Sequence, residues 1–384
     1  PQPSPPRSRS VRRPAQGAAS LWLLGLALGL PAAPAAALEP TPGAARVVVF
    51  GDDEGTCGRW NERLTPAAPC VPAAYRPGPA ACPRGENARH AKLLRHLREG
   101  APAVHAVLHA GDFVRFDRDV DRYAASLGPL AARFFPTTGG DQEFLAGRFR
   151  AFVERHAPHI ALGDRPNGRR PRCHLCYHAY LKTPAMPLGL HIVALENPDQ
   201  YGAEKGFYKP HCAPTHDLYR APRGEAAARQ FAWLEETLGA AEGRRAEPAH
   251  AADALIVLTH RPVPLQDEGA ADLRALFARA HVELVIGGNV HVYARGEAEG
   301  IHYFVTGVAG DRLVVGCPEF LSPSYPTCRP ATSFRHAAQE CGGTECDHFL
   351  DIAIAPDRIT VRARLIDPLP AEASMDTVTW TRRR

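Results

Sequence analysis

Five short polar clusters carry most of the chemistry that this chain of 384 residues could perform: Gly51-Asp52-Asp53-Glu54, Gly111-Asp112, Gly140-Asp141-Gln142-Glu143, Thr259-His260-Arg261-Pro262 and Gly288-Asn289-Val290-His291. Carboxylates and imidazoles are the side chains that bind divalent cations, and oxygen-rich mixtures of the two favour hard ions such as Mg, Ca or Mn. Taken singly, each cluster has a plainer reading. A Gly-Asp pair after a strand is ordinarily a turn, because both residues stabilise turns for local reasons. The order of the five along the chain gives them weight.

An apolar run precedes each of the clearest clusters. Residues 46–50, 104–109, 190–195, 255–259, 282–286 and 303–305 are rich in Val, Ile and Leu, the composition of strands buried on both faces. Helical composition fills the gaps at 87–98, 142–154, 224–238 and 270–280. In the third of these, Gln230, Trp233, Leu234 and Leu238 share one face. Residues 349–354 and 358–365 read as a hairpin around Pro356-Asp357. Strands alternating with helices predict an α/β fold, and such sheets bind ligands in the crevice beyond the carboxyl ends of their strands. The clusters are therefore expected to converge although they span about 240 residues.

In order, spacing and preceding apolar runs, the clusters resemble the calcineurin-like metallophosphoesterases, the superfamily that includes the purple acid phosphatases. The resemblance runs from about Arg46 to about Ile366. It extends to Val292-Tyr293-Ala294-Arg295, similar to the Tyr-x-Arg tail of many members, and to the Gln230-x-x-Trp233-Leu234 helix before the fourth cluster. It implies a four-layer α/β/β/α sandwich with two mixed sheets and two divalent metal ions, Mn, Mg, Ca, Fe or Zn. One ion would be held by Asp52, Glu54, Asp112 and His291, the other by Asp112, Asp141, His260 and Asn289. The reaction implied is hydrolysis of a phosphate mono- or diester by a metal-bridging hydroxide, with Asp112 as the bridge.

Several positions depart from the family pattern. Glu54 stands where the first motif has His, Asp141 where the third has Asn, and Asn289 where the fifth has its first His. Gln142 occupies the place of the catalytic histidine, and an amide cannot serve as an acid. The third motif can also be aligned on Gly139 instead of Gly140. Arg115 replaces the tyrosine ligand of the purple enzymes, which excludes their chemistry. Added anionic ligands lower Lewis acidity, so water activation should be poorer than in a histidine-rich site. Arg115, Arg261 and Arg295 lie beside motif residues and suit bidentate contact with phosphate oxygens. A metal-dependent phosphoesterase is thus the leading expectation. A catalytically silent binding protein is the alternative, and a hydrolase of another ester or a phosphonate a third.

The remaining features bound the setting. Arg7, Arg9, Arg12 and Arg13 precede an apolar run at 18–30 and the small residues Ala35-Ala36-Ala37, the order of a secretory signal peptide. The expected organisation is a signal peptide at 1–37, a linker at 38–45, the metallophosphoesterase-like domain at 46–366 and a tail at 367–384. Insertions are expected at 57–85, 165–222 and 310–347. All ten cysteines follow the signal segment, and an even count in an exported chain favours disulfides. Cys173-His174-Leu175-Cys176-Tyr177-His178, with His211-Cys212, offers structural zinc as an alternative. A net charge of +4, dispersed arginines and no recognition motif argue against nucleic acid. The apolar run at 18–30 is too short for a comfortable membrane span.

Overall fold

The strands form where unbroken β-branched and aliphatic residues can be covered on both sides. In β1 (Ala45–Phe50), all six residues are buried, and β2 (Ala106–His109), β5 (Leu190–Ala194), β6 (Ala254–Leu258) and β7 (Leu284–Gly287) are buried throughout. Each fully buried Val, Leu or Ile contributes roughly 1.5–3 kcal/mol. The computed structural model describes residues 42–51, 88–100, 103–113, 120–137, 148–162, 173, 175–196, 218–219, 223–289, 292–307, 348–365 and 374–383. All fall within one compact unit, Ala35–Arg384. The expected signal peptide lies outside the described residues, as do the insertions at 57–85 and 310–347.

Two six-stranded mixed sheets result. The first has the order β12-β11-β10-β1-β2-β3 and the second β4-β5-β6-β7-β9-β8. Within the first, β1, β2 and β3 (Phe134–Pro136) are parallel. β10 (His348–Ile354), β11 (Arg358–Leu365) and β12 (Ser374–Thr381) extend it antiparallel. Within the second, β5, β6, β7 and β9 (Ile301–Val305) are parallel. The antiparallel strands β4 (Tyr177–Leu181) and β8 (Ala294–Ala298) form its edges.

Alternation along the strands sorts side chains into layers. Ile192, Ile256, Leu258, Leu284, Ile286 and Phe304 join one core with Val47, Val49, Leu108 and Ile352 of the facing sheet. Val193, Val257, Val285 and Tyr303 point the other way, into a second core with Leu234, Leu238, Leu273 and Phe277. Those last residues come from α4 (Glu225–Arg245) and α5 (Ala271–Arg279). On the first sheet, α1 (Ala88–Glu99), α2 (Val120–Leu127) and α3 (Arg148–His156) supply Leu93, Leu97, Tyr123 and Phe152. The architecture is the α/β sandwich of two mixed sheets that the motifs implied.

Several elements went unread in the sequence. β3, β4, β8 and α2 have no extended apolar run of their own, and β4 falls inside the expected insertion at 165–222. The expected tail supplies β12, which covers the edge of β11. Helix α4 also runs to Arg245, beyond the expected end at 238.

Candidate metal centre

The carboxyl ends of the parallel strands in both sheets face a common edge, and cross-sheet hydrogen bonds establish this. His260, two residues past β6, places Nδ1 2.7 Å from the Ala110 carbonyl oxygen just past β2. The carbonyl can only accept, so Nδ1 carries a proton, and in the neutral imidazole Nε2 keeps the lone pair. That Nε2 lies 3.6 Å from Asp112 Oδ2, just beyond hydrogen-bonding range. His260 is fully buried and Asp112 is 5 % exposed. Two clusters about 150 residues apart in sequence thus meet face to face.

The local backbone is shaped for this meeting. Gly111 has φ +97° and Asp112 φ +56°, and Asn289, just past β7, has φ +68°. Non-glycine residues in the left-handed region are uncommon, and Asp and Asn are the types that tolerate it. A Cβ on Gly111 would lie 2.4 Å from His260 Nδ1, so any side chain there would displace the imidazole. The Gly111 N–H donates to His109 Nδ1 at 3.0 Å, holding the turn that presents Asp112. His109 is itself buried among Phe50, Phe113, Tyr123 and Phe134. Gly51, at the end of β1, is equally constrained, since a Cβ would come within 2.7 Å of Ala110 Cβ. The Gly288 N–H donates to the His260 carbonyl at 2.7 Å, linking the fourth and fifth clusters.

Of the other expected site residues, Asp52, Glu54, Arg115, Asp141, Gln142 and His291 lie outside the described residues. Arg261 packs its guanidinium 5.2 Å from the Tyr219 ring centroid, while the Tyr219 hydroxyl donates to the Arg261 carbonyl at 2.8 Å. Arg295 Nε donates to Asp376 Oδ2 of β12 at 2.8 Å, and the Tyr293 hydroxyl donates to the same oxygen at 2.9 Å. The Tyr-x-Arg tail therefore fastens β8 to β12. Tyr219, Thr306 and His348 also stand at this edge, unread in the sequence because no motif encloses them.

Cys173 and Cys176 are paired as a disulfide. The other eight cysteines are outside the described residues. Glu196, just past β5, accepts from the Leu175 N–H at 3.1 Å. Gln230 of α4 clasps the Glu196 backbone, accepting from its N–H and donating to its carbonyl, both at 2.7 Å.

The donor atoms fit a divalent cation. Metal–ligand bonds of roughly 2.0–2.2 Å place adjacent ligand atoms about 3–3.6 Å apart, which is the separation of Asp112 Oδ2 from His260 Nε2. Among the described residues, no group of three or more His, Cys, Asp or Glu side chains gathers as a metal cage. Asp112 and His260 are the described pair. Asn289, turned by its positive φ, stands on the same edge.

Solved structures similar to this chain include a purple acid phosphatase from yellow lupin (Lupinus luteus), 14 % identical with a TM-score of 0.48, covering 89 % of this chain and 54 % of that one. The chain thus spans about half the length of the lupin protein. GAP50, described as the anchor in the inner membrane complex of Plasmodium, is 11 % identical at TM-score 0.49, with 89 % and 90 % covered. PhoD is 11 % identical at TM-score 0.45, with 91 % and 71 % covered. At these values the likeness carries no argument about activity. No protein-family model and no curated protein sequence matches the chain. The two mixed six-stranded sheets match the architecture that the motif order implied. No helix among the described residues is long and apolar enough to cross a membrane.

Proposed function

We propose that this protein is an exported, metal-dependent phosphoesterase whose reaction occurs at the crevice edge where Asp112 faces His260. The observation that carries the reading is that pair: a buried carboxylate and a buried imidazole from opposite sheets, 3.6 Å apart, with the imidazole Nε2 turned to the carboxylate. Asp52, Glu54, Asp141, Asn289 and His291 complete the ligand set by sequence order. Divalent ions held there supply Lewis acidity for in-line displacement at phosphorus. Arg115, Arg261 and Arg295 are the cations beside the motifs. The Arg295 pairing with Asp376 makes it the least available of the three for phosphate. Export rests on the basic, apolar and small-residue order of the first 37 residues.

The chain's own residues divide the work. The Ala110 carbonyl fixes the tautomer and orientation of His260. Gly111 lets the imidazole approach, and its left-handed turn presents the Asp112 carboxylate. Gln142 can orient a leaving group by hydrogen bonding but cannot protonate it. The leaving group then takes its proton from solvent, which favours esters of acidic alcohols such as p-nitrophenol.

The test is reconstitution of the protein with Mn, Mg, Ca or Zn and assay on p-nitrophenyl phosphate and its bis-ester. Turnover that falls on the order of 10²–10³-fold in Asp112→Asn supports the enzyme. The substituted ligands and Gln142 favour one second reading, a metal-bound but silent binding protein. Metal uptake without turnover under every condition would select it.

A further inference from the structure

His260 has a counterpart on the other flank of the crevice. His348 opens β10 and is 2 % exposed, and its Nε2 lies 3.2 Å from Thr306 Oγ1. Thr306 follows β9, is fully buried, and donates its N–H to the Gly287 carbonyl at 2.9 Å. The bond therefore ties β10 of the first sheet to the β9–β7 edge of the second, as His260 ties β6 to β2. Antiparallel pairing of β1 with β10 matches Val49 to Leu350. Two further steps in that register bring His348 level with Gly51, the residue before Asp52. The two imidazoles thus bracket the strand ends that lead into Asp52 and Asn289.

A purely structural need would not select histidine at this position. Its successors on β10, Phe349 and Leu350, are fully buried, and an aromatic or aliphatic residue would fill the same interior without a polar atom to satisfy. Burial pushes the His348 imidazole down to about 4, so it is neutral at ordinary pH and acts through its hydrogen bond. Tyr293, four residues past Asn289, sets its ring edge-on to His348 at 5.9 Å. The group is thereby held from two elements of the second sheet.

We propose that His348, held by Thr306, is a positioning residue of the metal-binding crevice: it sets the gap between the end of β1 and the ends of β7 and β9, and so tunes divalent-cation affinity. The proposal rests on the metal-centre reading above. It assigns a role to residues that no motif marks.

Calorimetric titration of the full chain with Mn²⁺ tests it, beside thermal melts. His348→Phe and Thr306→Val should each weaken Mn²⁺ binding about 10–100-fold, the loss typical of groups that orient ligands. The double variant should be no worse than either single one, because both remove the same tie. His348→Gln, which keeps a side-chain nitrogen for Thr306, should bind within about 3-fold of the parent. Tyr180→Phe, at the opposite sheet edge, should leave affinity unchanged whatever its melting point. Unchanged Mn²⁺ affinity in His348→Phe or Thr306→Val, beside a parent that binds, would overturn the proposal and leave the metal centre standing. So would a His348→Gln loss as deep as that of His348→Phe. A parent that binds no divalent cation removes the metal centre and this role with it.

Discussion

The two ends of the sheet sandwich are closed by different chemistry. At the end away from the clusters, Arg382, just past β12, is buried and donates to both Glu283 carboxylate oxygens and to the carbonyls of Ala252, Asp253 and Ala355. Its own N–H donates to the Asp357 carbonyl. One rigid fork thus ties the β10–β11 turn to the starts of β6 and β7, satisfying several acceptors at once. At the crevice end, the described ties are the Arg295–Asp376 pair and single bonds from an imidazole or a phenol: His260 to Ala110, His348 with Thr306, and Tyr177 to Pro136. The far end is locked by one buried guanidinium fork. The crevice end keeps lone pairs and left-handed Asp and Asn residues, features that cost stability and that cation binding would use.

Perturbing each end separately tests this division. Arg382→Met should have the largest effect on stability. Removing one partner of a buried pair costs roughly 3–5 kcal/mol, read as a lower denaturant midpoint, while Mn²⁺ affinity of the folded protein stays as it was. An equal fall in affinity would mean that the two ends are not independent. Gly111→Ala should do the reverse, weakening Mn²⁺ binding about 10–100-fold by displacing His260. Its stability cost should be about 1–3 kcal/mol, since alanine is strained at φ +97°.

Acid should probe both ends at once. At the far end, burial and then the neighbouring His178 push His191 down to about 4, with Asp253, Arg245 and Arg244 also acting on it. His348, at the crevice, is pushed equally low by burial. Both folded-state values lie below the unfolded value of about 6.5. The unfolded chain therefore binds protons first, and stability present above pH ~6.5 is lost as pH falls toward ~4. Urea midpoints measured across that window should fall, and less steeply in His191→Phe than in the parent. Tyr177→Phe gives the smallest expected change. It deletes the 2.7 Å bond to the Pro136 carbonyl, worth about 0.5–1.5 kcal/mol net, and should show as a small loss in thermal midpoint.

The parallel strands other than β3 were legible because strands covered on both faces need unbroken apolar runs. β1, β5 and β6 were located to within one residue at each end. The elements that escaped notice draw their stability from neighbours. β3 has three residues and exists by pairing with β2. β4 mixes Tyr, His and Ala, and its register with β5 is reinforced where His178 Nε2 meets His191 Nδ1 at 3.0 Å. β12 read as a tail because its burial comes from partners such as His302, whose tilted ring lies 3.8 Å from that of Trp380.

The candidate site divides along the same line. Composition and order alone determined which side chains can bind a cation, and that they follow strands, because strand propensity and donor chemistry are local properties. Asp112 and His260 were named as ligands through the resemblance of that order to the metallophosphoesterase motifs. Only the folded chain decided that His260 turns Nε2 to Asp112, that Arg295 is taken up by Asp376, and that His348 meets Thr306. Those outcomes depend on how two sheets from distant parts of the sequence stack, and no local pattern encodes the distance between them.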